Sequence, residues 1–159
     1  MPNHPKNERT KGVYLLLVYL LLAMDDKLVG EVMHKGTVTC PPETSLQEVV
    51  RILSDADVRA IVVVGANYSA LGIISHMDIM AHYGENLTER QARDVMTREI
   101  VSVTPQTPLA EAVRLMVEHH IHRLLVAEAT SSGLMPVGIL STTDVIRDIR
   151  GAAWAWRWD

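Results

Sequence analysis

The sequence contains no phenylalanine, and aromatic residues make up only 4% of the chain. Its core must therefore be aliphatic, built from Val, Ile, Leu, Met and Ala. A single cysteine, Cys40, excludes an internal disulfide framework and any paired-cysteine zinc or redox site. It falls in an expected strand and is read as a small buried apolar residue. A basic excess is also missing. Fifteen Lys+Arg face nineteen Asp+Glu, for a net charge of −4 with seven neutral His. Nothing in that balance would release phosphate counterions, so nucleic acid is excluded as a partner. Long hydrophobic runs are absent too. The longest covers residues 13–24, and its twelve residues would span about 18 Å as a helix, where a bilayer core needs about 20 residues. No membrane span is expected, and the protein is read as cytoplasmic.

What is present is an ordinary globular composition, with 48% hydrophobic residues in 159, enough for one domain or two very small ones. The apolar run at 13–24 follows Lys6, Arg9 and Lys11, the pattern of a secretory leader, but Asp25-Asp26-Lys27 follows it in place of a cleavage site. It is read as an apolar helix that docks on this subunit or a neighbouring one. A cleaved or membrane-associated segment, or a chain that starts at Met24, is the alternative. At the other end Trp154, Trp156 and Trp158 alternate, which puts them on one side of an extended segment. Self-packing of this tail is favoured over a partner or membrane contact.

An internal repeat organises the rest. At a shift of 63, Val32-Met33 falls on Val95-Met96, Val38 on Val101, Pro42 on Pro105, Thr44 on Thr107 and Val50-Arg51 on Val113-Arg114. The shift becomes 66 after an insertion at residues 130–135, and Gly72-Ile-Ile-Ser75-His-Met-Asp78 then overlays Gly138-Ile-Leu-Ser141-Thr-Thr-Asp144. Ordered matches of this kind signal duplication. Each copy reads β-α-β-β-α. A short strand (38–40; 101–103) leads to a proline turn, then to a helix capped by Thr44 with Gln47 three residues on, or by Thr107 with Pro108 at the first helical position. Two strands follow, and a last helix starts at Ser75 or Ser141. One such unit is too small to bury much core, so two should pack together. The expected organisation is a 1–27 extension, repeats at 28–86 and 87–150, and a 151–159 tail, with residues 84–90 as linker.

The duplicated Gly-h-h-Ser-x-x-Asp, with Glu31-Val32-Met33 and Asp94-Val95-Met96 opening the two copies and Ile121-His-Arg-Leu-Leu-Val126 in the second, resembles a tandem CBS-domain pair, the Bateman module. The resemblance covers nearly the whole chain. It implies an α/β (α+β) fold of two β-α-β-β-α repeats packed with pseudo-two-fold symmetry, here with an extra apolar N-terminal helix. It also implies homodimerisation, regulation of a partner protein and no catalysis. The implied ligands are adenosine compounds: AMP, ADP, ATP or S-adenosylmethionine, with no cofactor required. Carried over by position, the main cleft takes Ile139, Ser141 and Asp144 from the second copy. Thr37, Val38, Val58 and Ala60 lie around the base, and His122, Arg123 and Arg59 around the phosphates. The second cleft takes Ile73, Ser75 and Asp78 with Ile100, Val101 and Ile121. It has Arg59-Ala60 where the main cleft has His122-Arg123, so phosphorylated ligands should prefer the Asp144 cleft.

The motif supports this on physical grounds. Gly72 and Gly138 permit close backbone approach beside a cleft. Ser75 and Ser141 suit helix N-caps. Asp78 and Asp144 then fall in the first turn, where the helix dipole favours the ionised carboxylate. An ionised carboxylate only accepts hydrogen bonds, which matches a ribose diol offering two O–H donors. The plain alternatives are that Ser-x-x-Asp is only a helix start and that Arg123 is a surface residue. No metal site is expected from His119, His120 and His122, because adjacent side chains at a helix end diverge. His76 and His82 are read as solvated. Ser141, Thr142 and Thr143 beside Asp144 and His122 lack the elbow and oxyanion loop of a hydrolase, so no catalytic residue is assigned. A ligand-free dimerisation scaffold is the alternative to a nucleotide sensor.

Overall fold

The computed structural model describes residues 11–16 and 27–151 of the chain. Residues 11–16 are helical, with Val13, Tyr14, Leu15 and Leu16 exposed. The rest of the expected N-terminal helix and the Trp-containing tail lie outside the described residues. Among those described, no helix is long and apolar enough to cross a membrane.

The first repeat runs α1 (Val29–Val32), β1 (His34–Lys35), β2 (Thr39–Cys40), α2 (Leu46–Asp55), β3 (Ala60–Val64), β4 (Ala70–Ser75) and α3 (His76–Met80). A short 3-10 turn, Leu87–Glu89, occupies the expected linker. The second repeat runs α4 (Ala92–Val95), β5 (Ser102–Val103), α5 (Leu109–His119), β6 (Arg123–Thr130), β7 (Gly133–Ser141) and α6 (Thr142–Arg150). Within each repeat the first strand is parallel to the second (β2 with β3, β5 with β6), and the third is antiparallel to the second. A parallel pair needs a crossover, and α2 and α5 provide it.

Residues 61–64 and 124–127 read as unbroken apolar runs because both faces of β3 and β6 are covered. Ile61 and Val63 point into the core beneath α2 with Leu46, Val49 and Leu53. Leu124 and Val126 point into the matching core beneath α5 with Leu109, Ala112 and Met116. The alternate residues, Val62, Val64, Leu125 and Ala127, meet between the repeats in a third cluster. Cys40 is buried in the first core. Burial pushes its thiol pKa up, partly offset by a hydrogen bond with Thr44, which suits an inert packing residue.

The two repeats exchange their leading segments. Helix α1 of the first repeat packs on the second, with Val29 fully buried in the second core. Its Val29 and Gly30 amides donate to Thr107 O (2.9 Å) and Pro105 O (2.8 Å). Helix α4 of the second repeat does the same on the first, Ala92 and Arg93 donating to Thr44 O (2.8 Å) and Pro42 O (3.0 Å), with Ala92 and Met96 in the first core. Strand β1 then pairs antiparallel with β7 (His34 opposite Ile139, Lys35 opposite Gly138), while Thr97 pairs with Ile73 on β4.

Two sequence expectations change as a result, and a third gains its partner. The α2 cap is Ser45, whose hydroxyl accepts from Glu48 N (3.2 Å), in place of Thr44. Thr44 stays outside the helix because its carbonyl serves α4. Pro108 stands at the N-cap of α5 instead of the first helical position, and the Thr107 hydroxyl accepts from Thr104 N (3.0 Å) within the turn. The motif glycines permit close backbone approach, as expected, and the approaching backbone is the exchanged segment of the other repeat. A Cβ on Gly138 would overlap the His34 carbonyl oxygen, and one on Gly72 would lie 2.7 Å from Met96 Sδ and 2.9 Å from Thr97 O.

Gly138→Ala is therefore expected to destabilise the fold by about 1–3 kcal/mol, because β1 must be displaced from β7. Urea denaturation reads this, and a midpoint equal to the wild type would refute the close-approach role of Gly138.

Candidate functional site

Strand β1 runs on through Gly36 to Thr37 and Val38 before entering its own repeat. This connecting stretch forms one wall of a cavity of about 750 Å³ between the repeats, within the range of about 300–1,000 Å³ typical of small-molecule sites. Gly36 adopts φ +83°, a left-handed turn that returns the chain from the second sheet to the first. The opposite wall is the junction of β7 with α6: Ile139, Ser141, Thr142, Thr143 and Asp144. The starts of β3 and β6 close it, with Val58, Arg59 and Ala60 from one repeat and His122 and Arg123 from the other.

Ser141 caps α6, its hydroxyl accepting from Asp144 N (3.2 Å). In return Asp144 Oδ2 accepts from Ser141 N (2.8 Å) and Ser141 Oγ (2.9 Å). This reciprocal box locks the carboxylate at the helix N-terminus, where the dipole favours its charge. Both bonds fall on Oδ2, and among the described residues Oδ1 carries no partner. Asp78 makes the same two contacts with Ser75 (2.7 and 3.0 Å), and its Oδ1 also lies 3.4 Å from the Thr97 hydroxyl. Thr97 is the counterpart of His34, so the exchanged segment differs between the two carboxylates.

All ten residues expected for the main cleft (Thr37, Val38, Val58, Arg59, Ala60, His122, Arg123, Ile139, Ser141 and Asp144) line this one cavity. Of the six expected for the second cleft, only Ser75 does. Ile73 and Ile100 pack against the cluster between the repeats, and Val101 and Ile121 against the second core. Several lining residues were not anticipated. His34, Lys35 and Gly36 reach the cavity only through the crossing of β1. His76, expected to be solvated, lines it with its ring nitrogen Nε2 3.2 Å from Val58 O. Arg147 also lines it. Its signal was in the sequence, since it follows Asp144 by three residues and so shares its helix face. The counterpart in the first repeat is Ala81.

The lining is strongly cationic. Lys35, Arg59, Arg123 and Arg147, with three histidines, oppose only two carboxylates, Asp57 and Asp144. Burial, and after it the like charge of Arg59, hold the Arg123 guanidinium below its ordinary pKa. Two arginines facing each other across the repeat boundary call for an anion. Among the described residues, no group of three His, Cys, Asp or Glu side chains is disposed to hold a metal ion.

A family model, the CBS domain, matches the chain twice, over residues 29–85 and 92–151. The chain belongs to the CBS-domain family. A CBS pair is a regulatory module and not a catalytic one. Among curated relatives, the uncharacterized protein MK0525 of Methanopyrus kandleri is 28% identical over 122 residues, covering 75% of this chain. The chain spans 61% of the length of that relative. Among solved structures, the CBS domain pair of MJ0100, in complex with 5′-methylthioadenosine and S-adenosyl-L-methionine, superposes with a TM-score of 0.72 at 22% identity, covering 80% of this chain and 98% of that one. CBSX2 in complex with AMP gives 0.67 at 26% identity, covering 77% and 96%.

Ser141→Ala removes the cap of α6 and is expected to cost about 0.5–2 kcal/mol of stability. Thermal melting of the ligand-free protein reads this; no change in midpoint would show that the box does not hold α6 in place.

Proposed function

We propose that this CBS pair is an adenine-nucleotide-binding regulatory module whose ligand occupies the cavity between the repeats. The observation that carries the proposal is the meeting, in one cavity, of an apolar wall, a fixed carboxylate and unpaired cations. Thr37, Val38, Val58, Ala60 and Ile139 offer a slot of the right chemistry for an adenine ring. Asp144 keeps one carboxylate oxygen available for the ribose diol. Arg59, Arg123 and His122 suit the phosphate, the arginines through bidentate contacts and the histidine when protonated. The likeness to CBSX2, whose structure holds AMP, supports the ligand class.

Regulation follows from where the cavity lies. Its walls belong to different repeats, so a bound ligand favours the spacing of the repeats that fits it. Such a shift requires unequal affinity for the two arrangements. The same geometry supports self-association. Met77, Met80, Tyr83, Ile146 and Ile149 are 54–90% exposed on α3, just beyond it and on α6. These residues belong to or adjoin the helices that begin at the cavity, Met77 itself being on its lining, and a second copy covering them as a homodimer would feel the movement of those helices. The regulated protein would then read the shape of the dimer.

Thermal shift and calorimetry with AMP, ADP, ATP, adenosine and S-adenosylmethionine test the ligand. A hundredfold excess over Kd stabilises by about 2.7 kcal/mol. Asp144→Ala is expected to weaken adenosine and its nucleotides by about 1.5–3 kcal/mol. Asp78→Ala removes the matching contacts of the other repeat and, because Asp78 reaches this cavity only through Ser75, should weaken its ligands much less than Asp144→Ala. Unaltered binding in Asp144→Ala would overturn the site, and no shift with any of these compounds would favour a ligand-free scaffold.

Ile149→Glu, at an exposed position on α6, is expected to convert the dimer to a monomer while keeping the melting cooperative. Light scattering reads the mass; a dimer that survives the substitution would exclude this face.

A further inference from the structure

Residues 11–16 form a helical segment whose apolar side chains are largely uncovered. Val13, Tyr14, Leu15 and Leu16 are 58%, 56%, 59% and 61% exposed. Successive helix residues lie about 100° apart around the axis, so these four face every side of it. A helix that rests on one domain buries an apolar stripe and turns a polar face to water. These four positions leave no polar face, so cover on one side alone does not suffice. Short helices also draw most of their stability from packing and little from the isolated chain. The segment therefore calls for a surface on more than one side.

A surface of matching chemistry exists on the same fold. Met77, Met80, Tyr83, Ile146 and Ile149 are exposed on α3, just beyond it and on α6. The chain that leads to the helical segment starts on α6. Lys27 Nζ bonds Asp148 Oδ1 at 2.6 Å, and Lys27 O accepts from Leu109 N at 2.8 Å. Asp148 is the immediate neighbour of Ile149, so the chain is held at the helix that carries this apolar face. Leu16 lies eleven positions before Lys27, a reach of at most about 40 Å, where a small domain is about 30 Å across. In the single chain both surfaces stay open together. A flat face covers one side of a helix, and two copies related by a two-fold axis offer two such faces. Each segment is then covered on both sides, and the contact closes after two copies because each gives and receives the same one.

We infer that residues 11–16 are a docking arm for a second copy of this chain, seated where the α3 and α6 faces of the two copies meet. The inference rests on the self-association reading above and names a further element of that interface. It does not depend on the ligand. A lipid surface is the competing cover for an apolar arm, but it leaves Met77, Met80, Tyr83, Ile146 and Ile149 without a partner. A second copy accounts for both exposed surfaces at once.

The test is sedimentation equilibrium of the full chain, as wild type, Ile149→Glu and the double variant Leu15→Glu, Leu16→Glu. The double variant places two carboxylates in the apolar seam and is expected to weaken self-association at least about tenfold. Both positions are exposed in the single chain, so thermal melting under monomeric conditions should stay unchanged. Bis-maleimide coupling of a Leu16→Cys chain mixed with an Ile149→Cys chain should give a mixed dimer; the native Cys40 is buried and does not compete. A Val117→Cys chain, exposed on α5, should give none with Leu16→Cys. An unchanged association constant in the double variant, or no mixed dimer, overturns the arm, while dissociation by Ile149→Glu leaves self-association standing. A wild type that is monomeric at every concentration removes both. Flotation with phosphatidylcholine–phosphatidylglycerol vesicles that is lost in the double variant, with its association unchanged, would assign the arm to lipid and overturn the inference.

Discussion

The structure depends on a reciprocal backbone exchange. The first amides of each repeat's leading helix donate to the proline-turn carbonyls of the other repeat, Val29 to Thr107 and Ala92 to Thr44. Buried helix ends need such partners, because unsatisfied amides are costly away from water. Each leading segment also adds an apolar residue to the opposite core, Val29 in one and Ala92 with Met96 in the other. Neither core is complete without residues from the other half. The repeats therefore act as one cooperative unit in which each half closes the other, although two copies are plain in the sequence.

The same exchange makes the cavity. A segment that starts in the second repeat's core and ends in the first repeat's sheet must cross between them, and the crossing stretch from His34 to Val38 becomes a wall. Close passage over the third strand is possible only where that strand lacks side chains, which explains Gly72 and Gly138 in the duplicated motif. The serine and aspartate of that motif do a second job a few residues on. They box the start of α6 and hold a carboxylate at a helix N-terminus with one oxygen to spare. Close strand passage and a boxed carboxylate are thus interleaved along seven residues.

Electrostatics then separates two halves that share a fold. Duplication would predict two equal sites, yet Arg123 and Arg147 in the second repeat correspond to Ala60 and Ala81 in the first. The positive charge gathers on one cavity, and the carboxylate of the other motif, Asp78, lies near the Thr97 hydroxyl instead. Differences at a handful of positions suffice because fixed charges in a partly desolvated cleft act more strongly than on open surface.

Much of this was legible in the sequence. Self-comparison exposes the repeat, strand and helix periods place the elements, and Gly-h-h-Ser-x-x-Asp marks the third strand and the helix cap, since each of these is a property of neighbouring residues. The ten residues that the resemblance to CBS pairs places around one cleft line a single cavity, whereas neither the motif nor the repeat by itself brings them together. The chain did not reveal its exchanged segments: nothing local in Val29-Gly30-Glu31-Val32 says which core it fills. The shift of the α2 cap from Thr44 to Ser45, the presence of His34 and Lys35 at the cavity, and the identity of the backbone that passes over the motif glycines all follow from that one long-range choice. Residue order alone determined the local conformations and the two-fold plan. Tertiary packing decided which half each leading segment completes, because hydrogen bonds and burial between residues 48 to 78 positions apart depend on the assembled shape and leave no periodic trace in the chain.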